Sequence, residues 1–567
     1  MAAPVDLCEF GPVLRFALPV LRRRSHVPRG SRSGVRLPAV ASGRTELGWF
    51  LTGTQRGNDA TRIRPWTDGN AVRALVHGGT YFGVLAETLA KVEPGDLVLF
   101  SDWRGDPDER LTDDGATVAQ ALSDAVLRGA LVKGLMWRSH LDRLRFSNRE
   151  NRNLSERVNL VGGEVLLDQR VRTVGSHHQK FVVIRHSGRP ADDTAFLGGI
   201  DLAHGRRDDA DHRGDPQAQP FAHQYGPHPA WHDVQVELHG PAVRDVEDVF
   251  RERWEDPAAL SRLPWQAVPD DLHGEDRRAD RLPPASPAPP DAGTCSVQLL
   301  RTYPQRHPGY PFAPEGERSA ARGYAKALRR ARRLVYIEDQ YLWSADVAHV
   351  FAAALRREPG LHLVAVVPRY PDQDARLSLP AVRLGHVRAL QIVRAAGGDR
   401  VQVLDVENHV GDPVYVHAKV CVVDDVWATV GSDNLNRRSW THDSELTAAI
   451  LDQRLDGREP IDPAGLGDGA RGFARELRLE LWREHLDRDS DEGLLDLGDA
   501  FEAVRSSAAA LDAWHDGGCA GPRPPGRLRV HPVAHLPLWQ RVLAAPPYHA
   551  VVDPDGRPLR LKVRGQH

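Results

Sequence analysis

The sequence predicts an α/β protein of two similar lobes, each a mixed β-sheet flanked by helices, packed in a pseudo-twofold arrangement. Three observations carry this. Short apolar runs alternate with helical periods along most of the chain, the pattern of a layered α/β architecture. A histidine–lysine signature with a following glycine turn occurs twice. Between the copies lies a proline-rich stretch without apolar period, Leu282-Pro283-Pro284 to Pro289-Pro290, which reads as a linker.

Taken in order, residues 1–47 are rich in Arg, Ser, Gly and Pro and read as a mobile N-terminal arm. Glu9, Pro12, Arg15 and Pro19 break its apolar stretch, and Arg22-Arg23-Arg24 follows that stretch instead of preceding it. This is the wrong order for a secretory signal. The first lobe is expected over 48–256, with strands at Asp96–Ser101, Phe181–Ile184 and Asp233–Leu238. After the linker (257–294) the second lobe spans 295–489, with strands at Leu334–Ile337, Leu361–Val367, Val420–Val423 and Glu445–Ile450. Phe473, Leu477, Leu481 and Trp482 form one apolar helical stripe. Residues 490–567 form a C-terminal extension, an acidic helical stretch and then a proline-rich tail.

With 567 residues, 41% of them hydrophobic, the chain has ample core for two lobes. Lys and Arg number 74 against 77 acidic residues, so no global basic field favours nucleic acid. The four cysteines are scattered without C-x-x-C spacing, which supports neither a disulfide framework nor a zinc site. No uncharged run reaches the ~18 residues of a membrane-crossing helix. The expectation is a cytoplasmic monomer that meets lipid only peripherally, at a membrane surface.

The repeated signature carries the chemistry. One copy reads His178-Gln-Lys180, then Gly198-Gly199-Ile200-Asp201, then Trp231-His232-Asp233. The other reads His417-Ala-Lys419, then Gly431-Ser432-Asp433-Asn434, then Asp443-Ser444-Glu445. On a strand, residues i and i+2 share a face, so His178 and Lys180 point together, as do His417 and Lys419. Facing pairs would give one phosphate a nucleophilic imidazole, an acidic imidazole and fixed cations. Lys180, Lys419 and Asn434 are candidates to hold the equatorial oxygens. Asp233 and Glu445, each opening a strand, are candidates to accept from the second imidazole nitrogen and fix its tautomer. This chemistry needs no catalytic metal and no cofactor.

These residues resemble the phospholipase D superfamily. The second copy matches its H-x-K-x4-D and G-S-x-N pattern, and the Ser176–Lys180, Phe196–Leu202, Trp231–Val234 and Ile337–Tyr341 blocks look like the phosphatidylcholine-cleaving members. The resemblance covers roughly residues 48–490. It implies hydrolysis or exchange of a glycerophospholipid headgroup through a phosphohistidine intermediate, releasing phosphatidic acid, with His178 as nucleophile and His417 as acid. Arg185 stands where the family has aspartate. Alternation puts it on the face opposite Lys180, so Arg185→Asp is expected to fold normally and change turnover little. Rival readings are a cardiolipin synthase-like phosphatidyltransferase, a nuclease, and a catalytically weak lipid-binding protein whose first motif has decayed. Near-zero net charge weighs against the nuclease, and intact His178 and Lys180 weigh against decay.

Overall fold

The structure is a computed structural model that describes residues 45–139, 148–261, 278–372, 379–532 and 535–564. The first 44 residues of the expected arm, and 262–277 of the expected linker, lie outside the described residues.

The first half of the chain forms eight strands: β1 (Thr67–Val76), β2 (Leu97–Asp102), β3 (Leu131–Trp137), β4 (Glu164–Asp168), β5 (Phe181–Arg185), β6 (Thr194–Gly198), β7 (Ala230–His232) and β8 (Val234–His239), of which β7 pairs with the second sheet. Ten follow: β9 (Cys295–Tyr303), β10 (Glu317–Arg318), β11 (Leu334–Asp339), β12 (His362–Val366), β13 (Val401–Glu407), β14 (Pro413–Val416), β15 (Lys419–Val423), β16 (Trp427–Gly431), β17 (Glu445–Asp452) and β18 (Leu528–Val530). The first half pairs in the order β4-β3-β2-β5-β6-β8-β1, parallel from β4 to β2 and antiparallel thereafter. The second repeats it as β13-β12-β11-β15-β16-β17-β9. The chain therefore folds the same lobe twice, and β1 pairs antiparallel with its counterpart β9 to join the two sheets.

Period-2 alternation sets the layers. Along β5, Phe181 and Val183 enter a core shared by both lobes, whereas Val182 and Ile184 face the outer helices of the first lobe. Val420 and Val422 of β15 likewise enter the shared core, and Cys421 and Val423 the outer core of the second lobe. The seven expected strands all form, within two residues of their expected ends, and the Phe473–Trp482 stripe lies on the helix Gly472–His485.

Three segments pack differently from the sequence-based division. Trp49, Phe50 and Leu51, assigned to the first lobe, bury against Leu300, Tyr324 and Leu328 of the second. The proline-rich segment lies along the helix Ala242–Trp254, whose Arg251, Trp254 and Arg244 donate to the carbonyls of Pro283, Asp280 and Ser286 at 2.8, 2.7 and 2.6 Å. The C-terminal extension supplies β18, paired to β13, and the core-packed helix Leu497–Asp516. The basic helix Ser319–Arg330 is tied inward. Arg322 donates to Arg56 O at 2.6 Å, and Lys326 to Gln55 Oε1 at 2.8 Å.

Arg185 is buried, with its guanidinium 2.9 Å from Asp193 and 2.7 Å from Glu247. Its counterpart Asp424 instead accepts the backbone N–H groups of Arg332, Arg333 and Leu334, all at 2.8 Å, and so anchors the start of β11. In the first lobe the anchoring carboxylate has moved to the neighbouring strand. Asp96, beside the start of β2, accepts from Ser187 N at 2.7 Å and lies 2.7 Å from His186 Nδ1.

Candidate active site

The two H-x-K segments run into the sheets at one lobe–lobe seam. His178 and His417 sit just before β5 and β15, in extended entry segments outside the strands proper. Each segment is stitched to the opposite lobe. His178 N donates to Ser444 O at 2.9 Å, and His417 N to His232 O at 2.8 Å, beside the parallel pairing of β14 with β7. The residue following each acceptor is the carboxylate proposed to orient a histidine. This crosses the lobes: His178 Nδ1 lies 2.9 Å from Glu445 Oε2, and His417 Nδ1 lies 2.6 Å from Asp233 Oδ2.

The carboxylates are themselves fixed. Ser432 Oγ donates to Glu445 Oε2 at 2.6 Å, and Val234 N to Asp233 Oδ1 at 2.9 Å. The first-lobe residue matching Ser432 is Gly199, where a Cβ would stand 2.1 Å from Asp233 Oδ1, so only glycine fits beside that carboxylate. Burial pushes the Glu445 carboxyl up to about 8, with the nearby Asp443 charge adding and the Ser432 donor opposing. Burial also raises Asp233, against the pull of Lys419.

Lys180 Nζ donates to His178 O at 3.1 Å and lies 3.5 Å from Asp201, while Lys419 Nζ donates to His417 O and reaches Gln340 Oε1 at 3.4 Å. Asn434 is buried in the turn after β16, and its Oδ1 has no hydrogen-bond partner among the described residues. Burial, with the lysines adding, pushes both imidazoles well below their usual range. Lys180 and Lys419 each lower both of them, so the cation of each lobe acts on the imidazole of the other.

Several neighbours carried no assigned role in the sequence. Trp231 packs on His417 with ring centroids 4.8 Å apart, and Trp103 lies edge-on to His178 at 6.2 Å. Arg206 covers Trp231 at 4.0 Å and pairs with Asp201 at 3.3 Å. Despite burial, Lys180 and Arg206 together hold Asp201 ionised. Nothing local to the irregular 203–229 loop marks Arg206, whereas Trp231 stands in the repeated block. His177 turns away to Ser101 Oγ and Gln179 Oε1, at 3.0 and 3.1 Å.

Burial and the adjacent Lys180 lower Lys419 from the ordinary lysine value to about 8. Its charged form therefore prevails below that pH and is lost above it. The expected kcat/KM profile of the free enzyme falls as pH rises through about 8, and Lys419→Arg, which stays charged, moves that fall to higher pH. An alkaline limb unmoved in Lys419→Arg would contradict the role given to this lysine.

The sequence pattern described as "Phospholipase D" matches residues 112–365 and 404–516, and that described as "Cardiolipin synthase, PLD-like domain" matches 324–457. The chain is 28% identical over 443 residues to "Phospholipase D alpha 1" of Cynara cardunculus, covering 60% of this chain and 52% of that protein. It is 27% identical over 460 residues to "Phospholipase D alpha 1" of Ricinus communis, covering 63% and 54%. The chain thus spans about half the length of the curated relatives it matches. Among solved structures, the phosphatidylserine synthase of Haemophilus influenzae overlays with a TM-score of 0.46 at 15% identity, covering 68% of this chain and 82% of that one.

Proposed function

The chain belongs to the phospholipase D family, and from that premise we propose that it cleaves glycerophospholipid headgroups through a phosphohistidine intermediate. The observation that carries this is the reciprocal pairing of His178 with Glu445 and His417 with Asp233, each across the lobe seam. A carboxylate on Nδ1 keeps the proton there and leaves Nε2 as the reactive nitrogen.

In the first step His178 Nε2 attacks phosphorus. The bond from phosphorus to the headgroup oxygen breaks, and His417, which enters the step as the imidazolium after taking up a proton with the anionic phosphodiester, delivers its Nε2 proton to that oxygen while Asp233 keeps the proton on Nδ1. Lys180, Lys419 and Asn434 neutralise the non-bridging oxygens as charge builds. In the second step His417 takes a proton from water, whose oxygen displaces Nε2 of His178 and yields phosphatidic acid. An alcohol in place of water gives the exchanged phospholipid. Asp233 and Glu445 are positioning residues, since they act through the histidines.

Exposed apolar residues on two C-terminal helices support a membrane-borne substrate. Among the described residues, Leu538, Trp539, Val542, Leu543, Leu559 and Val563 are exposed, with Trp539 at 63% and Leu543 at 68%, and Arg541, Arg560 and Lys562 are interspersed. This mixture of Trp, Leu and basic residues suits a lipid interface. Its neighbour, the Tyr548–Gly556 segment, abuts the helix Arg437–Thr441 that follows the turn carrying Asn434. Val551 O accepts from Arg438 at 2.8 Å, and Gly556 N donates to Thr441 Oγ1 at 3.0 Å. No helix among the described residues is long and apolar enough to cross a membrane.

Incubation of the protein with phosphatidylcholine vesicles and ethanol is expected to give phosphatidic acid and phosphatidylethanol together. Trp539→Asp/Leu543→Asp should lower vesicle binding and turnover about tenfold or more, with little change on a soluble short-chain phosphodiester. An equal loss on both substrates would reject the interfacial reading. The match to a cardiolipin synthase domain supports a second reading, in which the acceptor alcohol is a phosphatidylglycerol headgroup. Cardiolipin formed in preference to phosphatidic acid from phosphatidylglycerol vesicles would favour it.

A further inference from the structure

Behind the seam, and apart from the phosphate-facing groups, lies a buried cluster that the proposed mechanism does not use. His77 ends the junction after β1, His212 lies in the loop after β6, His232 ends β7, and Glu484 comes from the helix Gly472–His485. Their nearest ligand atoms all stand within 4.8 Å of one another. His77 Nε2 is 2.6 Å from Glu484 Oε2, His212 Nε2 is 3.0 Å from Glu484 Oε1, and His232 Nδ1 is 3.7 Å from that same oxygen.

The last distance is the informative one. Glu338 is a buried carboxylate, and it accepts from Tyr336 and His485. It lies 2.7 Å from His232 Nε2, so that nitrogen carries the proton. His232 Nδ1 is buried without a hydrogen-bond partner among the described residues and faces a carboxylate oxygen at a separation too long for a hydrogen bond. A metal ion bound between that nitrogen and that oxygen would partner both. A tetrahedral zinc with bonds of ~2.1 Å separates its ligand atoms by ~3.4 Å, which matches this gap.

The surroundings fit a metal centre. The Glu338–His232 contact has the form of a carboxylate that orients a metal-bound imidazole, and Asp208 stands 3.7 Å from His212 Nδ1 in an equivalent place. His77 and His212 are held at φ 70° and 54°, left-handed backbone that non-glycine residues adopt at a cost of ~1 kcal/mol or more. That strain turns both imidazoles toward one point.

We propose that His77, His212, His232 and Glu484 bind one divalent transition metal ion, zinc by the chemistry of three imidazoles and one carboxylate. The ion does not touch the phosphate. It pins the junction that orients His417, because His77 N donates to Asp233 O at 2.9 Å and His232 O accepts from His417 N at 2.8 Å. The proposal stands independently of the substrate.

The test is elemental analysis of untagged protein dialysed without chelator, followed by titration of metal-stripped protein with Co2+. The expected result is about one zinc per chain and the intense visible absorption of tetrahedral Co2+. Both should be lost in His212→Ala and in Glu484→Gln, and retained in His386→Gln, a histidine in another buried pair. If the variants do not fold, the wild-type stoichiometry and Co2+ spectrum still decide. Folded wild type that takes up neither metal would overturn the proposal and leave a hydrogen-bonded histidine–glutamate network. Metal uptake undiminished in folded variants would overturn it as well.

Discussion

His178→Ala is expected to lower turnover on phosphatidylcholine by about 10^4-fold or more, because no other group replaces the nucleophile. His417→Ala should lose as much on the same substrate, but for a different reason: the headgroup alkoxide then departs unprotonated. A phosphodiester with an acidic phenol as leaving group separates the two roles. On it His417→Ala should release about one equivalent of phenol in a burst and then stall, since the second step lacks its base. His178→Ala should give no burst. A burst from His178→Ala, or equal silence from both variants, would reverse or remove the assignment.

Arg185→Asp is expected to unfold or severely destabilise the protein, by roughly 3–5 kcal/mol. The sequence-level expectation was normal folding, and the structure corrects it. Alternation does turn residue 185 away from Lys180, but it turns it toward Glu247 and Asp193, both buried. An aspartate there would gather three carboxylates around the charge of Arg251, 2.6 Å from Glu247. Chemical denaturation of the variant, with Arg185→Met as the uncharged comparison, checks this. A wild-type midpoint for Arg185→Asp would contradict the packing account. The swap of charge between lobes also has a structural rationale that motif decay lacks: Asp96 anchors the turn after β5 much as Asp424 anchors β11.

The parts of the molecule that were legible in the sequence are those written locally. Phe181–Ile184 and Val420–Val423 announce strands by apolar runs beside turn residues, and His178, Lys180, His417 and Lys419 announce a site by spacing alone. What was not legible depends on the path of distant segments. Asp233 and Glu445 stand out as carboxylates opening strands, yet only the pairing of β7 with β14 and the bridge of His177 with Ser444 bring each to the other lobe's histidine. Trp49-Phe50-Leu51 reads as buried, but nothing in it names the second lobe as its partner. Three-residue β18 is too short for any period to declare it. His77, His212 and Glu484 lie far apart in sequence and meet only through the fold. Arg206, in a loop without period, gains its meaning from Trp231 and Asp201.

The most direct test of the phosphohistidine mechanism is to quench the enzyme in mid-turnover under alkaline conditions, which preserve phosphohistidine, and to map the adduct by mass spectrometry. Wild type in the steady state, and His417→Ala after its burst, should both carry the phosphatidyl group on His178 in the peptide spanning 173–185. An adduct on His417, or a single-step displacement with inversion at phosphorus and no adduct, would contradict the account.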